Sequence, residues 1–289
     1  MDLKISVIIP TYKDWETLSE CLKYLQNQTL SHSQFEVVIV NNEPSDLMPQ
    51  GFELPPNTRL ITESRPGSYA ARNKGINETA SDFLAFTDSD CAPAANWLEN
   101  GLNLLLQGFD MVGGRMEFFK PSDASDLAFI YEKKFGFDQK RNVEEKGQSV
   151  TANLFCKREV FTQIGPFSEN LLSGGDFEWT KRATSSGFKM AYGEQVVVSH
   201  PSRKNIAELI RKKKRTIGGM YTRFYNSYTP KQKVFFALHF IRPHVSIFTY
   251  SDLSVLEKIK LFFATWYVEF IGMKEMLKLD LGIKKAERV

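Results

Sequence analysis

The sequence has few cysteines and no long apolar stretch. Its 289 residues include only Cys21, Cys91 and Cys156. Three widely separated cysteines argue against a disulfide framework or a zinc cluster and favour a reducing compartment. No segment reaches the roughly 18 uncharged apolar residues of a membrane-spanning helix. Met1–Lys4 run directly into a predicted strand instead of opening a secretory leader. We therefore expect a cytoplasmic protein.

Glycine is missing where a dinucleotide-binding domain needs it. After the first predicted strand, Ile5–Ile9, the chain reads Pro10-Thr11-Tyr12-Lys13-Asp14. This segment contains none of the glycines of a Gly-x-Gly-x-x-Gly loop. It also lacks the glycine-rich basic loop that a nucleotidyltransferase would favour. Zinc-finger spacing and recognition-helix signals are absent as well, so nucleic acid is not an expected partner.

The charge is distributed unevenly along the chain. A composition of 42% hydrophobic and 25% charged residues is typical of a folded protein with one large or two small domains. Residues 1–200 carry 19 Lys/Arg and 27 Asp/Glu, whereas residues 201–289 carry 18 and 7. Such asymmetry indicates that the last third faces a polyanion, with a merely solvated basic face as the alternative.

Short apolar runs alternate with helical patterns over residues 5–107. Strands are predicted at Ile5–Ile9, Phe35–Val40, Leu60–Thr62 and Phe83–Thr87, with helices between them. This alternation predicts βαβ units and a parallel sheet. Residues 108–200 are less regular, with strands expected at Met111–Phe119, Val150–Cys156 and Lys189–Val198.

Asp88-Ser89-Asp90 directly follows a predicted buried strand. Pro93, Trp97, Leu98 and Leu102 then indicate a helix. Ligands of open α/β sheets bind beyond the carboxyl ends of the strands. Two carboxylates converging there suit Mg²⁺ or Mn²⁺ together with substrate phosphates. An ordinary turn is the alternative interpretation.

Two further segments combine helix starts with charged side chains. Arg65–Gly75 enters a helix with Arg72 and Lys74 in its first turns, which suits phosphate or base recognition. In Ser173–Trp179, two glycines precede Asp176 and Glu178. A carboxylate there is suited to general-base catalysis, whereas a helix cap is the structural alternative.

In this order, the motifs resemble those of the family 2 glycosyltransferases, which have the GT-A fold. The resemblance covers about residues 4–200. The matching segments are Ser6–Tyr12, Asn41-Asn42, Ala71–Gly75, Asp88–Asp90 and Gly175–Glu178. It implies that a sugar is transferred from a nucleoside-diphosphate donor, with inversion, to a saccharide or lipid-linked saccharide in the synthesis of a surface polysaccharide or glycolipid. The expected donor is a UDP-sugar, with dTDP and GDP as alternatives, and the expected cofactor is Mn²⁺ or Mg²⁺.

The resemblance also implies roles for individual residues. The expected donor contacts are Pro10, Thr11, Tyr12, Asn41, Asn42, Arg72, Asn73, Asp88 and Ser89. The expected metal ligands are Asp88, Asp90 and His200. Asp176 matches the catalytic base that deprotonates the acceptor. The residues expected beside the acceptor are Gly175, Glu178 and Trp179, with core packing as the alternative for Trp179.

Two positions depart from the family pattern. Asn41-Asn42 stands where many relatives have Asp-Asp or Asp-Asn, which leaves the choice of base more open. Gly175 stands where a glutamate is frequent, which affects a supporting contact but not the aspartate itself.

The last third is basic, aromatic and helical. It contains the run Arg211–Arg215 and an apolar stripe, Leu256, Ile259, Phe263, Trp266, Phe270, Met273 and Leu277. We expect peripheral contact with anionic lipid at the inner face of the cell membrane. Packing of this stripe on the catalytic domain, or on a second subunit in a homodimer, is the alternative.

The sequence therefore predicts an α/β protein with a GT-A-type, mostly parallel central sheet flanked by helices and a helical C-terminal extension. Residues 1–200 form the expected catalytic domain, with a nucleotide-binding half to about residue 107 and an acceptor half beyond it. Residues 201–289 form the C-terminal region. A nucleotidyltransferase and a non-catalytic lipid- or polyanion-binding protein are the alternative functions.

Overall fold

The computed structural model describes residues 5–171 and 173–285, so Met1–Lys4 lie outside it. The chain divides into two compact units. The first comprises the described residues up to Glu117 together with Asp138–Glu169 and Gly175–Pro201. The second comprises the described residues of Phe118–Phe137, of Asn170–Gly174 and of the chain from Ser202 onward.

The described residues contain strands and helices in alternation, followed by helices alone. The strands are β1 Ile5–Thr11, β2 Phe35–Asn41, β3 Thr58–Thr62, β4 Phe83–Phe86, β5 Ala92–Pro93, β6 Met111–Phe119, β7 Leu154–Lys157 and β8 Met190–Pro201. The helices are α1 Trp15–Gln26, α2 Ser68–Asn77, α3 Trp97–Leu106, α4 Asp126–Phe135, α5 Gln139–Lys146, α6 Arg158–Ile164, α7 Gly175–Ser185, α8 Ile206–Arg223, α9 Pro230–Ile241 and α10 Val255–Asp280.

The strands form one sheet in the order β3-β2-β1-β4-β7-β6-β8-β5. Strands β3, β2, β1 and β4 are parallel, whereas β7 runs antiparallel to both β4 and β6. In this register Thr11 pairs with Asn41, and Ile8 pairs with Phe86. The loops that follow β1, β2 and β4 therefore leave the same edge of the sheet, where ligands of such sheets bind.

The apolar runs form the parallel strands because both faces of this sheet are covered. Ile5, Val7, Ile8 and Ile9 are fully buried, as expected for a strand in the middle of such a sheet. The predicted α/β fold, with helices around a central sheet and a helical C-terminal part, is confirmed.

Several elements differ from those read from the sequence. Helices α5 and α6 were not predicted, because neither short segment carries a long apolar period. The strand expected at Val150–Cys156 begins only at Leu154, since the preceding three residues form a 3₁₀ turn. Pro93 belongs to β5, and α3 begins four residues later.

In the second unit, α8, α9 and α10 pack around a small core of Ile217, Tyr225, Phe240, Met276 and Leu279. The stripe predicted on α10 does not form this core. Leu256 is 60% exposed and Phe263 63% exposed, whereas Leu261, Val268 and Met276 on another face are buried. The stripe is therefore largely exposed within this unit, although Met273 packs against the small core, and contact of the stripe with lipid or a second subunit stays a prediction. None of the helices in the described part of the chain combines the length and apolar composition needed to cross a bilayer.

The basic run on α8 is partly neutralised within the same unit. Lys212 forms an ion pair with the buried Glu132 of α4, and Lys213 pairs with Glu269 of α10. Both lysines are only about one-fifth to one-quarter exposed. Lys212 and Lys213 are therefore engaged within the protein, and the expected contact of this run with anionic lipid does not extend to these two side chains.

Candidate active site

The Asp88-Ser89-Asp90 motif forms the turn after β4 at the carboxyl edge of the sheet. The backbone N–H of Cys91 donates to the carbonyl of Asp88 over 3.1 Å and closes the turn. The buried hydroxyl of Ser89 donates to the carboxylate of Asp14 over 3.0 Å. The side chains of Asp88 and Asp90 stay 34% and 25% exposed, so both carboxylates are open to a ligand.

Asp90 lies beside His200, near the end of β8. Nε2 of His200 is 3.6 Å from Oδ2 of Asp90. Nδ1 of His200 lies 2.7 Å from the carbonyl oxygen of Pro201. Because a carbonyl only accepts, this contact places a proton on Nδ1 and gives Nε2 the ligating lone pair in the neutral ring.

Asp90, His200 and Cys91 offer three ligand atoms within 4.8 Å of one another. Burial, reinforced by the charges of Asp90 and Asp88, raises the pKa of the Cys91 thiol well above its ordinary value. The carboxylate and the imidazole are therefore the better donors for a hard or borderline divalent ion. These two residues fit the expected metal.

Asp88 is held differently from Asp90. Its carboxylate pairs with Arg72 of α2, whose side chain is only 4% exposed. Nε of Arg72 is buried and has no hydrogen-bond partner in the described part of the chain. A buried donor without a partner is costly, so this Nε is suited to hydrogen-bond an acceptor atom of a ligand. Metal binding by Asp88 stays a prediction.

Two buried hydroxyls at this edge of the sheet also lack partners within the described residues. They belong to Thr11 at the end of β1 and to Thr87 just after β4. Tyr12 follows at 45% exposed, and Lys13 adopts a left-handed φ of 55°, uncommon for a residue with a side chain. Pro10, the residue before Thr11, is half-buried. This unusual backbone with unused hydroxyls suits a ligand-binding loop.

The asparagine pair after β2 shapes its own loop. Both amide protons of Asn42 are used, by the carbonyls of Glu63 and Arg65, and its Oδ1 accepts from the N–H of Gly67. Donation from this amide to a nucleotide base would require one of those bonds to break, whereas Oδ1 keeps one acceptor site for a base N–H. Within the described residues, Asn41 donates one amide proton, to the carbonyl of Asp46, which leaves its second amide proton for the predicted base contact.

Asn73 was expected to contact the donor, and the structure corrects this. The side chain is 4% exposed. Its Oδ1 accepts from the N–H of Phe167, and its Nδ2 donates to the carbonyl of Phe167 and to Glu169. These bonds use both amide protons and one acceptor site of the oxygen, so Asn73 fixes the segment after α6 to helix α2.

Asp176 lies in the first turn of α7 and receives three hydrogen bonds. The hydroxyl of Tyr69 is 3.2 Å from Oδ1, and the N–H of Phe177 donates to the same oxygen over 2.9 Å. The N–H of Thr151 donates to Oδ2 over 3.4 Å. Burial raises the pKa of Asp176 above its ordinary value, although these donors and the charge of Arg72 oppose the shift. A raised pKa makes this carboxylate a better base.

The residues predicted beside the acceptor separate into two groups. Trp179 is fully buried, stacks on Phe161 with ring centroids 4.1 Å apart, and donates to the carbonyl of Gly165. It therefore belongs to the core, and the expectation of acceptor contact is wrong. Glu178 is 30% exposed and pairs with Arg182. Gly175 packs against Tyr69, and for Gly175 and Glu178 acceptor contact stays a prediction.

Tyr69 is the site residue that the sequence reasoning did not assign. It lies three residues before Arg72 on α2, a spacing that places both side chains on one face of the helix. That spacing was the available signal. The spacing could not indicate the contact of Tyr69 with Asp176, because Asp176 lies 107 residues further along the chain.

The chain belongs to glycosyl transferase family 2, whose family model matches residues 6–165. This family has the GT-A fold, uses nucleotide-sugar donors and usually requires a divalent cation. The protein is thus a glycosyltransferase, and the alternatives of a nucleotidyltransferase and a non-catalytic binding protein are set aside.

Curated relatives agree with this assignment. Glycosyltransferase AglE of Haloferax volcanii is 37% identical over 214 residues, which are 72% of this chain and 70% of the relative. A glucosyl-dolichyl phosphate glucuronosyltransferase of the same organism is 24% identical over 68% of this chain and 69% of its own length. A dolichyl N-acetyl-alpha-D-glucosaminyl phosphate 3-beta-D-2,3-diacetamido-2,3-dideoxy-beta-D-glucuronosyltransferase of Methanococcus voltae is 22% identical over 72% and 70%.

Proposed function

We propose that this glycosyltransferase is metal-dependent and inverting, and that it transfers a sugar to a saccharide carried on a lipid. The observation that carries the proposal is the position of Arg72. Its guanidinium pairs with Asp88 of the acidic turn, and its charge also acts on Asp176. The groups assigned to the donor and the group assigned to the acceptor therefore surround one buried cation.

The donor is a nucleoside-diphosphate sugar, with UDP favoured and dTDP or GDP as alternatives. Support comes from the buried and unpartnered Nε of Arg72, because phosphate oxygens are strong acceptors for a guanidinium. The unused hydroxyls of Thr11 and Thr87 at the same edge suit the nucleoside part of the donor. Base contact is assigned to Asn41, whose second amide proton has no acceptor among the described residues.

Asp90 and His200 hold the divalent cation, Mn²⁺ or Mg²⁺, with Asp88 as a further carboxylate close to the donor. When bound, such an ion acts as a Lewis acid that stabilises the leaving diphosphate. Arg72 contributes a second positive charge at the same place, since its side chain is fixed by Asp88. The protein side chains thereby fix the diphosphate in one orientation.

Asp176 acts as the general base. Its carboxylate accepts the proton of the acceptor hydroxyl as that oxygen attacks the anomeric carbon on the side opposite the diphosphate. The C–O bond to the acceptor forms while the bond to the diphosphate breaks, which inverts the anomeric centre. The raised pKa of Asp176 supports this role, because a more basic carboxylate takes the proton more readily.

A lipid-linked acceptor is supported by the relatives from Haloferax volcanii and Methanococcus voltae, whose names specify dolichyl phosphate sugars. A lipid-linked substrate requires the enzyme to work at a membrane surface. We assign catalysis to residues 1–200 and the membrane contact to residues 201–289.

The exposed face of α10 supports this membrane contact. It combines apolar side chains such as Phe263 and Trp266 with Lys260, Lys274 and Lys278. The four acids of α10 are engaged elsewhere, in a cap or in ion pairs: Glu257, Glu269, Glu275 and Asp280. A face of aromatic and basic residues fits an anionic membrane surface. The three buried thiols fit a reducing compartment, so we place the enzyme at the inner face of the cell membrane.

A screen of nucleotide sugars tests the proposal. Thermal unfolding is measured with UDP-, GDP- and dTDP-sugars, each with Mn²⁺, Mg²⁺ or EDTA. A donor at about 100 times its Kd stabilises the fold by about 2.7 kcal/mol. We expect such a shift only with a cation present, followed by release of nucleoside diphosphate on incubation with a membrane lipid extract. Equal shifts and equal turnover in EDTA would contradict the metal-dependent mechanism.

A further inference from the structure

Tyr69 connects helix α2 to the first turn of α7. Its side chain is 6% exposed, and its hydroxyl oxygen lies 2.8 Å from the backbone nitrogen of Gly175 and 3.2 Å from Oδ1 of Asp176. The guanidinium carbon of Arg72 lies 5.8 Å from the centre of the ring. The phenol therefore lies between the residue assigned to the donor phosphates and the one assigned as base.

The chemistry of these partners fixes the direction of the tyrosine proton. The N–H of Gly175 can only donate, so it occupies a lone pair of the hydroxyl oxygen. The single O–H proton of Tyr69 is then directed at Oδ1 of Asp176. Burial and the neighbouring Asp176 raise the pKa of Tyr69, so this proton stays in place at neutral pH.

The two oxygens of Asp176 are thereby made unequal. Oδ1 accepts from Tyr69 and from the N–H of Phe177, whereas Oδ2 accepts one long bond of 3.4 Å from the N–H of Thr151. Oδ2 thus keeps more of its hydrogen-bonding capacity. The oxygen with unused lone pairs is the one that can receive a proton from a substrate hydroxyl.

Gly175 allows Tyr69 to approach this closely. A Cβ atom at position 175 would lie 2.7 Å from Cε2 of the Tyr69 ring and 2.9 Å from its Cζ. Atoms do not approach so closely without displacement, so any side chain at this position would move the ring. The glycine and the tyrosine form a matched pair in this chain.

We propose that Tyr69 is a positioning residue, whose hydroxyl holds Oδ1 of Asp176 so that Oδ2 is the atom that takes the acceptor proton. The inference rests on the proposed role of Asp176 as base. It goes beyond that role by naming Oδ2 as the oxygen of Asp176 that takes the proton and Tyr69 as the residue that determines this choice. Arg72 is the charged group whose effect on Asp176 accompanies that of Tyr69.

Tyr69→Phe tests this directly, because it removes the hydroxyl and keeps the ring. A hydrogen bond to a charged group is strong enough that we expect kcat to fall at least about tenfold. The donor Kd should stay within about twofold. Loss of a donor to the carboxylate raises the pKa of Asp176, so the acid limb of the pH–rate profile should move to higher pH. A purely structural role of Tyr69 would not move this limb.

Further single and double variants make the result specific. Tyr225→Phe removes the hydroxyl of a buried tyrosine in the second unit and should leave kcat unchanged. Gly175→Ala should reproduce the kinetic defect of Tyr69→Phe, and the two changes combined should be less than additive. Adding Tyr69→Phe to Asp176→Asn should cause no further loss of kcat.

If Asp176→Asn is inactive but Tyr69→Phe has the wild-type kcat and pH profile, the inference about Tyr69 fails and the base assignment stands. If Asp176→Asn is active, the base assignment itself fails.

A titration that needs no substrate provides a second readout. The carboxyl ¹³C signal of Asp176 is assigned by its loss in Asp176→Asn and followed with pH in the wild type and in Tyr69→Phe. We expect a higher midpoint in Tyr69→Phe and an unchanged one in Tyr225→Phe. An identical midpoint in all three proteins would overturn the inference.

Discussion

Nε2 of His200 lies 3.6 Å from Oδ2 of Asp90, although the two residues are 110 positions apart in the chain. The turn after β4 supplies the carboxylate, and β8 supplies the imidazole. The pairing of β5 with β8 brings Ala92 opposite Ser199 and so places the two side chains together. This geometry makes Asp90 and His200 the most direct targets for testing metal binding.

Replacing either proposed metal ligand, Asp90 or His200, should make donor binding independent of the metal. For Asp90→Asn and His200→Ala, we expect Mn²⁺-dependent affinity for UDP to fall at least about 10–100-fold, because even indirect disturbance of a metal site costs this much. Titration calorimetry with and without Mn²⁺ measures it. His32→Ala, which removes an exposed imidazole bonded to the carbonyl of Gln26, is the matched control and should bind like the wild type. Unchanged metal dependence in Asp90→Asn would refute the assignment.

The ion pair between Lys212 and Glu132 should matter for stability. Glu132 is 1% exposed and also accepts from the N–H of Arg203. Lys212→Met leaves this buried carboxylate without its cation, so we expect a loss of about 3–5 kcal/mol in the free energy of unfolding at pH 7. Lys214→Met, on the same helix but without an ion pair among the described residues, should change it by less than about 0.5 kcal/mol. Denaturant unfolding measures both.

The effect of Lys212→Met should shrink as the pH falls. Burial raises the pKa of Glu132, but Lys212 and the N–H of Arg203 outweigh it and hold the pKa below its ordinary value. In the wild type this contribution to stability is therefore present above the unfolded pKa of about 4.3 and is lost as the pH falls through the lower folded value. Without Lys212, burial raises the folded pKa, so the variant gains stability on acidification. A stability difference independent of pH would contradict this account.

The exposed lysines of α10 should control membrane binding. For Lys260, Lys274 and Lys278 changed together to Glu, we expect at least about 100-fold weaker partitioning onto phosphatidylglycerol vesicles, since each lysine contributes about 1 kcal/mol. Wild-type binding should weaken with salt. Co-sedimentation at two salt concentrations measures both effects.

The matched control for these lysines carries the same charge change in the first unit. Lys140, Lys146 and Lys181, all exposed, are changed to Glu and should leave vesicle binding intact. If the α10 variant binds vesicles like the wild type, the membrane assignment is wrong. A concentration-dependent dimer that Phe263→Asp dissociates would then identify the exposed stripe as a subunit interface.

Local patterns predicted the sheet edge and its acids because their information lies within short segments. β1, β2 and β4 are short, predominantly apolar segments that end in or are followed by a polar residue, so the sequence alone indicated where their loops meet. Asp176 at a helix start was recognisable for the same reason.

The residues that were misassigned depend on partners far away in the chain. Both amide protons of Asn73 are used by a segment that begins 94 residues later, and Lys212 is neutralised by Glu132, 80 residues earlier. No local pattern contains such contacts. Trp179 is different, because Gly175, Trp179 and Ala183 repeat every four residues and mark the buried face of α7. That period could have placed the tryptophan in the core.

The rate of the Asp176→Asn variant, measured together with its donor affinity, tests the central claim most directly. The substitution keeps the shape of the side chain and removes the base. With the best nucleotide sugar from the screen, we predict a donor Kd within about twofold of the wild type and a turnover reduced by about 10²–10⁴-fold or more. Glu178→Gln, two residues away, should retain most of the rate. If Asp176→Asn keeps more than about a tenth of the wild-type turnover while Glu178→Gln loses it, Asp176 is not the base.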